Sequence, residues 1–274
     1  MSFSLSLLFV ATAAVSSQTQ AVPVHPNHNA VLWYQTSAEF NANSVQTYTA
    51  ARNQLLRAIA DPNWTALTNQ TGQYQQLPPA VIVDIDETIL DNSPAAAQAV
   101  LQGKTNFDAA LWDAWVAKAS AQAVPGAVKF LNLAEANGVK VLYISNRECA
   151  PRKTKPTEQC PQHADTLKNL RAVGIKQLQD DQLWLKGQQT DWSSEKESRR
   201  VLAAKQYRVV MLFGDDFGDF LPNVKKNITP QQRLKLSQQY EHQWGEKWFM
   251  LSNPTYGSWQ TILNQPDSQY LQGF

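Results

Sequence analysis

Cysteine and histidine are scarce in this chain of 274 residues, with two of the first and four of the second, and none falls at metal-ligand spacing. A zinc centre and chemistry built on a histidine nucleophile are therefore disfavoured. Long runs of one charge sign are also missing: 24 basic and 23 acidic side chains nearly cancel, so the basic stripe of a nucleic-acid duplex binder is absent. The apolar run at 5–15 is too short to span a bilayer, and small and polar residues follow it. It reads as a signal peptide over 1–24, cleaved between Ser16 and Val24, although no Lys or Arg precedes Arg52 to supply a positive leader. With no Cys near that run, no lipid anchor is expected. The expectation is an exported protein, periplasmic or secreted and without a membrane anchor, with a homo-oligomer left open. Aromatic residues, by contrast, are plentiful. Nine Trp and eight Tyr in a rather polar chain exceed what a core requires, so some rings are expected to face a ligand.

One core with helical additions fits this length better than two full domains. Thr36 and Glu39 have capping-box spacing ahead of a long helical segment that stops at Asp61-Pro62. After a polar stretch through Pro78-Pro79, Val81-Ile82-Val83-Asp84-Ile85 forms the β-branched run of a strand covered on both faces. Runs of similar character lie at 139–144 and 207–213, with a shorter strand at 182–185. Between them, one helix opens with Pro125 at its first position and closes at Asn137-Gly138, and a second covers 162–173. A third follows Ser194, whose Glu197 completes another capping box. The alternation predicts an α/β fold, a parallel sheet flanked by helices, with ligands beyond the carboxyl ends of its strands. Residues 25–274 are read as a single domain, its core at about 78–220 and smaller, mostly helical additions at about 30–62 and 228–274.

Each long strand ends in polar residues. In Asp84-Ile85-Asp86-Glu87-Thr88 the period-two spacing directs both aspartates to one side. Ser145-Asn146-Arg147 ends the second run, and Gly214-Asp215-Asp216-Phe217-Gly218-Asp219 the last. Lys196 falls in the first turn of the Ser194 helix, where a cation opposes the helix dipole unless an anion binds there. Lys186 and Lys205 are its rivals. Taken singly, these are a strand-to-turn junction, a turn or calcium-binding segment and a solvated lysine. Taken in order, at matching strand ends, they read as a site for phosphoryl transfer.

With residues 33–40 (WYQTSAEF), Leu90-Asp91-Asn92-Ser93, Val124-Pro125-Gly126-Ala127 and Asn253-Pro254-Thr255-Tyr256-Gly257, the sequence resembles the haloacid dehalogenase (HAD) superfamily. Within it, the class C or DDDD acid phosphatases, with their 5′-nucleotidase-like lipoproteins, are the nearer resemblance. This implies a HAD-like Rossmannoid core and an Mg²⁺-dependent acid phosphatase. Such an enzyme hydrolyses small phosphomonoesters, nucleoside 5′-monophosphates first among them, through an aspartyl-phosphate. By the resemblance Asp84 is the nucleophile and Asp86 the acid, then the base. The metal is held by Asp84, Asp215 and the Asp86 carbonyl, with Asp219 contacting it directly or orienting a water. Ser145, Asn146 and Lys196 hold the phosphoryl oxygens, and Trp112 and Tyr256, with Trp33 or Tyr34 as further candidates, stack on a nucleobase.

The sequence departs from the pattern in three ways. Ala95-Ala96-Ala97 stand where an aromatic is usual, Asp216-Phe217 occupy the centre of the GDNLxDF motif, and a lipobox is lacking. The alternative is a noncatalytic phosphate-binding or adhesion protein on the same fold. The retention of both Asp84 and Asp86 argues against it, since two repelling carboxylates gain nothing without a metal and a reaction. Cys149 and Cys160 would pair in an oxidising compartment and otherwise remain free thiols. The loop between them carries Arg152, Lys153 and Lys155, charge suited to drawing anions toward the strand ends.

Overall fold

The β-branched run before Asp84 forms the middle strand of a five-stranded sheet. The structure, a computed structural model, describes residues 25–154 and 156–273. The expected signal peptide and Lys155 lie outside the described residues. Two helices come first, α1 (His28–Thr36) and α2 (Ala38–Ala60). They are followed by β1 (Pro79–Val83), β2 (Leu90–Asp91), α3 (Ser93–Leu101), α4 (Ala109–Lys118) and β3 (Gln122–Ala123), which pairs antiparallel with β2. Helices and strands then alternate through α5 (Ala127–Ala136), β4 (Lys140–Glu148), α6 (Pro161–Ala172), β5 (Leu183–Lys186), α7 (Glu197–Ala204) and β6 (Arg208–Gly214). Last come α8 (Pro230–Gln239), β7 (Trp248–Met250) and α9 (Ser258–Thr261). The sheet order is β5-β4-β1-β6-β7, and every neighbouring pair is parallel. From β1 the chain steps to β4 and β5 on one side, then returns to β6 and β7 on the other. That reversal opens a crevice at the carboxyl ends of β4, β1 and β6.

Both faces of the sheet are covered, which is why β1 shows no polar alternation. Val81, Val83, Tyr143 and Phe213 join a core with Leu55 of α2 and Phe130 of α5, while Ile82, Leu142, Ile144 and Leu212 join one with Ala203 and Trp248. Tyr48 of α2 stacks on Phe213 at 5.6 Å between ring centres, and Phe213 on Phe249 at 4.9 Å. Arg208 ties the end of α2 to the start of β6. Its guanidinium donates to the carbonyls of Ala58 and Ile59, in the last helical turn where carbonyls lack intrahelical N–H partners, and to those of Asp61 and Trp64 just beyond it.

Several boundaries differ from the sequence reading. Thr36 still belongs to α1, its hydroxyl donating to Leu32 O, so the cap of α2 passes to Ser37, which accepts from Phe40 N–H at 3.1 Å. The helix expected from Pro125 begins at Ala127 with Gly126 as its cap. Ser194 caps nothing: the neighbouring Ser193 hydroxyl accepts from Glu195 N–H, and α7 starts at Glu197 with Lys196 at its N-cap position. The segment 228–274, expected to be helical, also supplies β7, so the sheet runs past the core limit placed near 220. A three-residue strand is too short to show a period.

Cys149 and Cys160 form a disulfide joining the end of β4 to the start of α6. Arg152 inside that loop is not the free charge that was expected. It donates to Asp113 of α4 at 2.7 Å and Asp165 of α6 at 2.6 Å, bracing the two helices. Among the described residues no helix is long and apolar enough to cross a membrane. For a sequence separation of 11, replacing both cysteines by serine is expected to lower stability by about 3 kcal/mol, or about 6–12 °C in melting temperature. A calorimetric scan of the double variant checks this, and an unchanged transition would contradict it.

Candidate active site

Asp84 follows β1 directly, and its N–H still bonds Phe213 O at 3.0 Å, so the sheet itself fixes the residue. With Asp86, Asn146, Lys196, Asp215 and Asp219 it lines a cavity of about 420 Å³ at the strand ends. Lys196 Nζ stands 2.5 Å from Asp84 Oδ1 and 2.6 Å from Asp219 Oδ1, and all three residues are buried. Carboxylate oxygens of Asp84, Asp215 and Asp219 lie within 4.8 Å of one another. Burial pushes the Asp84 carboxyl up to about 6, with Asp219 and Asp86 adding to the rise and Lys196 opposing it. Asp215 is driven well above the usual carboxylate range by burial and then by Asp84, Asp219 and Glu87. Burial would lower the Lys196 ammonium, but Asp219 and Asp84 outweigh it and hold the group above the ordinary lysine value.

Asp86 has different partners. Arg147 Nη2 donates to its Oδ1 at 2.8 Å and Nε at 3.0 Å, and Asn92 Nδ2 reaches the same oxygen at 2.9 Å. Among the described residues Oδ2 receives only Arg147 Nε at 3.2 Å and the Ser145 hydroxyl at 3.5 Å. Arg147 was passed over in the sequence, yet a signal existed. Period-two spacing puts it on the side of Ser145, and both are buried while Asn146 between them is exposed. Asn92 in turn is held by Trp115 Nε1 at 2.8 Å.

The loops that carry these groups are fastened from several sides. Glu87 takes a left-handed backbone conformation, φ +57°, in the turn after Asp86. Its carboxylate accepts from Asn92 N–H at 2.8 Å and from the Tyr256 hydroxyl, and Tyr48 donates to the neighbouring Thr88 O at 2.7 Å. Asp215 accepts from Asn253 Nδ2 at 2.9 Å and Thr88 Oγ1 at 3.2 Å. Gly214 must lack a side chain, because a Cβ there would overlap the Asp219 carboxylate. Two buried arginines of α7 hold the two walls. Arg199 donates to Ser145 O at 2.7 Å and Asn146 Oδ1 at 2.9 Å, and Arg200 to Asp219 O at 2.9 Å and Gly218 O at 3.1 Å.

Residues 4–259 match the family described as HAD superfamily, subfamily IIIB (Acid phosphatase). The chain belongs to this family. It is similar to the class C acid phosphatase of Bacillus anthracis, with 32% identity, a TM-score of 0.72, and 90% of this chain and 96% of that one covered. A second structure of that enzyme, with tungstate bound, gives 31% identity and a TM-score of 0.74 over 92% of this chain and 99% of the other. The protein is therefore an acid phosphatase, a phosphomonoesterase of the HAD class C type, with small phosphoesters as its substrates.

Phosphatases of this superfamily use a divalent metal, and the acid phosphatase cavity fits one. Three carboxylates converge and one ammonium contacts two of them but balances a single charge, a donor set of hard oxygens with negative charge left over. Asp216, the other aspartate of that turn, is not free for such a role. Burial would raise its carboxyl, but the Ser258 N–H and hydroxyl and the Gly218 N–H hold it below the usual range. Asp86 takes no side-chain part in the three-carboxylate group, since Arg147 and Asn92 occupy it.

The structure places the remaining expected residues unevenly. Asn146 and Tyr256 line the cavity. Ser145 is fully buried outside the cavity lining, its hydroxyl accepting from Arg147 N–H at 3.0 Å and donating to Asp86. Trp112 does not line the cavity either, because its ring packs 5.9 Å from the Arg147 guanidinium. Trp33 and Tyr34 belong to the packing between α1 and α2.

Asp215 and Asp216 should separate cleanly. Asp215→Asn is expected to raise the divalent-metal concentration needed for half-maximal activity. Asp216→Asn should leave it unchanged and cost about 1–3 kcal/mol of stability. Metal titrations and melting curves of both variants check the assignment, and equal metal dependence of the two would reverse it.

Proposed function

We propose that this acid phosphatase is Mg²⁺-dependent and passes the phosphoryl group through Asp84, with nucleoside 5′-monophosphates as its preferred substrates. The observation that carries this reading is the pair of carboxylates at the end of β1, set side by side with different partners: Asp84 with Lys196, Asp86 with Arg147. Lys196 holds Asp84 Oδ1, which leaves Oδ2 with no hydrogen-bond donor among the described residues. In the first step an Asp84 oxygen attacks phosphorus, the ester P–O bond breaks, and Asp86 gives its proton to the departing alkoxide. In the second step Asp86 takes a proton from water, the water oxygen attacks phosphorus, and the bond to Asp84 breaks to release orthophosphate.

Arg147 and Asn92 saturate Asp86 Oδ1 with donors, so Oδ2 is the oxygen suited to carry the moving proton. Lys196 and Asn146 supply positive and amide donors for the phosphoryl oxygens. Asp84, Asp215 and Asp219, with the Asp86 carbonyl, would hold Mg²⁺, a hard cation that takes oxygen ligands and stabilises developing negative charge. Tungstate in the Bacillus anthracis relative supports an oxyanion site, since tungstate is tetrahedral like phosphate. Tyr256, 41% exposed at the cavity and tethered through its hydroxyl to Glu87, offers a flat, fixed ring for a nucleobase. Export belongs to the same reading, because a disulfide such as Cys149–Cys160 forms and persists in an oxidising compartment.

Asp84→Asn is expected to lose essentially all turnover while keeping its melting temperature. Asp86→Asn should lose about 10²–10⁴-fold on alkyl phosphates and least in the first step with the best leaving groups. Orthophosphate release from adenosine 5′-monophosphate and p-nitrophenyl phosphate, with chelator and after Mg²⁺ is restored, tests all three elements. Turnover by Asp84→Asn would exclude the aspartyl-phosphate.

A further inference from the structure

Beyond the carboxylate cluster, the cavity wall carries two further cations, Lys225 and Lys226. Lys196 already bonds Asp84 and Asp219, whereas among the described residues neither Lys225 nor Lys226 has a carboxylate within 4.0 Å. The Lys225 ammonium donates to Ser194 O at 2.7 Å, which uses one of its three N–H groups and leaves two. Ser194 O also receives Asn146 Nδ2 at 3.1 Å, so the lysine joins the wall that contains the expected phosphoryl-binding amide.

Lys225 lies across the turn that carries Asp219. Its stem crosses Gly218, where a Cβ would overlap Lys225 Cε, so any side chain at 218 would push the ammonium away. Gly218 occupies the variable position of the GDNLxDF motif, and in this chain its bareness makes room for a cation. Burial brings the Lys225 ammonium below the ordinary lysine range; Asp219, Asp216 and Glu195 oppose the fall and Lys196 adds to it, so a further anion close by would relieve the group. Cavities of this size enclose small organic ligands, and a phosphoryl group alone would leave most of the space unused.

We propose that Lys225 and Lys226 form a second anion subsite, and that it favours phosphomonoesters whose leaving group carries a second phosphate. Two cavity-lining lysines with no carboxylate within 4.0 Å suit a dianion better than a neutral hydroxyl. The proposal rests on the reading of the Asp84 end as the phosphoryl site. Within that reading it ranks a nucleoside 5′-phosphate that carries a second phosphate above the plain 5′-monophosphate, and likewise for sugar phosphates.

Steady-state kinetics on two matched pairs tests it: adenosine 3′,5′-bisphosphate against adenosine 5′-monophosphate, and glucose 1,6-bisphosphate against glucose 6-phosphate. The wild-type enzyme is expected to favour the bisphosphate of each pair by about tenfold in kcat/KM, mostly through KM, as one charge-assisted contact would give. In Lys225→Gln/Lys226→Gln, and separately in Gly218→Val, that ratio should fall toward one. A wild-type enzyme with no such preference would overturn the proposal without any variant. A parallel loss on both members of each pair would overturn it as well, since the lysines would then serve the transferred phosphoryl group. Failure of the underlying reading shows elsewhere, as phosphate release by Asp84→Asn.

Discussion

One buried ammonium allows the site to exist. Asp84, Asp215 and Asp219 repel one another, and burial adds to the cost of each charge. Lys196 offsets two of the three at 2.5 and 2.6 Å. Its place at the N-cap of α7 is unfavourable to a cation by about 0.3–1 kcal/mol, whereas each charge-assisted bond to an aspartate is worth about 1.5–3 kcal/mol. The aspartates therefore decide where the lysine sits, and the negative charge still unbalanced makes the cluster a receptor for a cation.

Around that centre, arginines do the fastening. Arg199 and Arg200 leave adjacent positions on α7 and grip the end of β4 and the turn after β6 respectively, while Arg208 seals the end of α2. Each buried guanidinium makes several hydrogen bonds to backbone carbonyls, the condition under which a buried charge is tolerated. Because one short helix holds both walls of the cavity, hydrogen bonds from neighbouring arginines tie Asn146 and Asp219 to a common support. Tyr34 and Tyr48 support the third wall, the turn at Glu87 and Thr88, from the N-terminal helices.

Much of this was legible in the sequence, for reasons that differ by residue. Asp84 and Asp86 stood out because a strand buried on both faces leaves no other reason for carboxylates at its end. Lys196 stood out by its electrostatically wrong position, although the helix start was misplaced, since Ser193 and not Ser194 makes the local hydrogen bond. Arg147, Arg199 and Arg200 stayed hidden because a single arginine in a polar stretch looks solvated until its carbonyl partners are known. Trp112 was read as a ring for the substrate, and its company with Arg147 depends on the packing of α4 and α6, which no local pattern encodes. Strand β7 escaped for the same reason: three residues become a strand only because β6 offers them an edge.

The late arrival of β7 bears on when the enzyme becomes competent. Asp215 takes a donor from Asn253, Asp216 from Ser258, and Glu87 from Tyr256, all of which follow β7 in the chain. A chain in which the segment after β7 is not packed lacks these three donors, even though Asp84 and Lys196 can already meet. The site is therefore complete only when the segment after β7 has docked against the sheet edge that β7 forms.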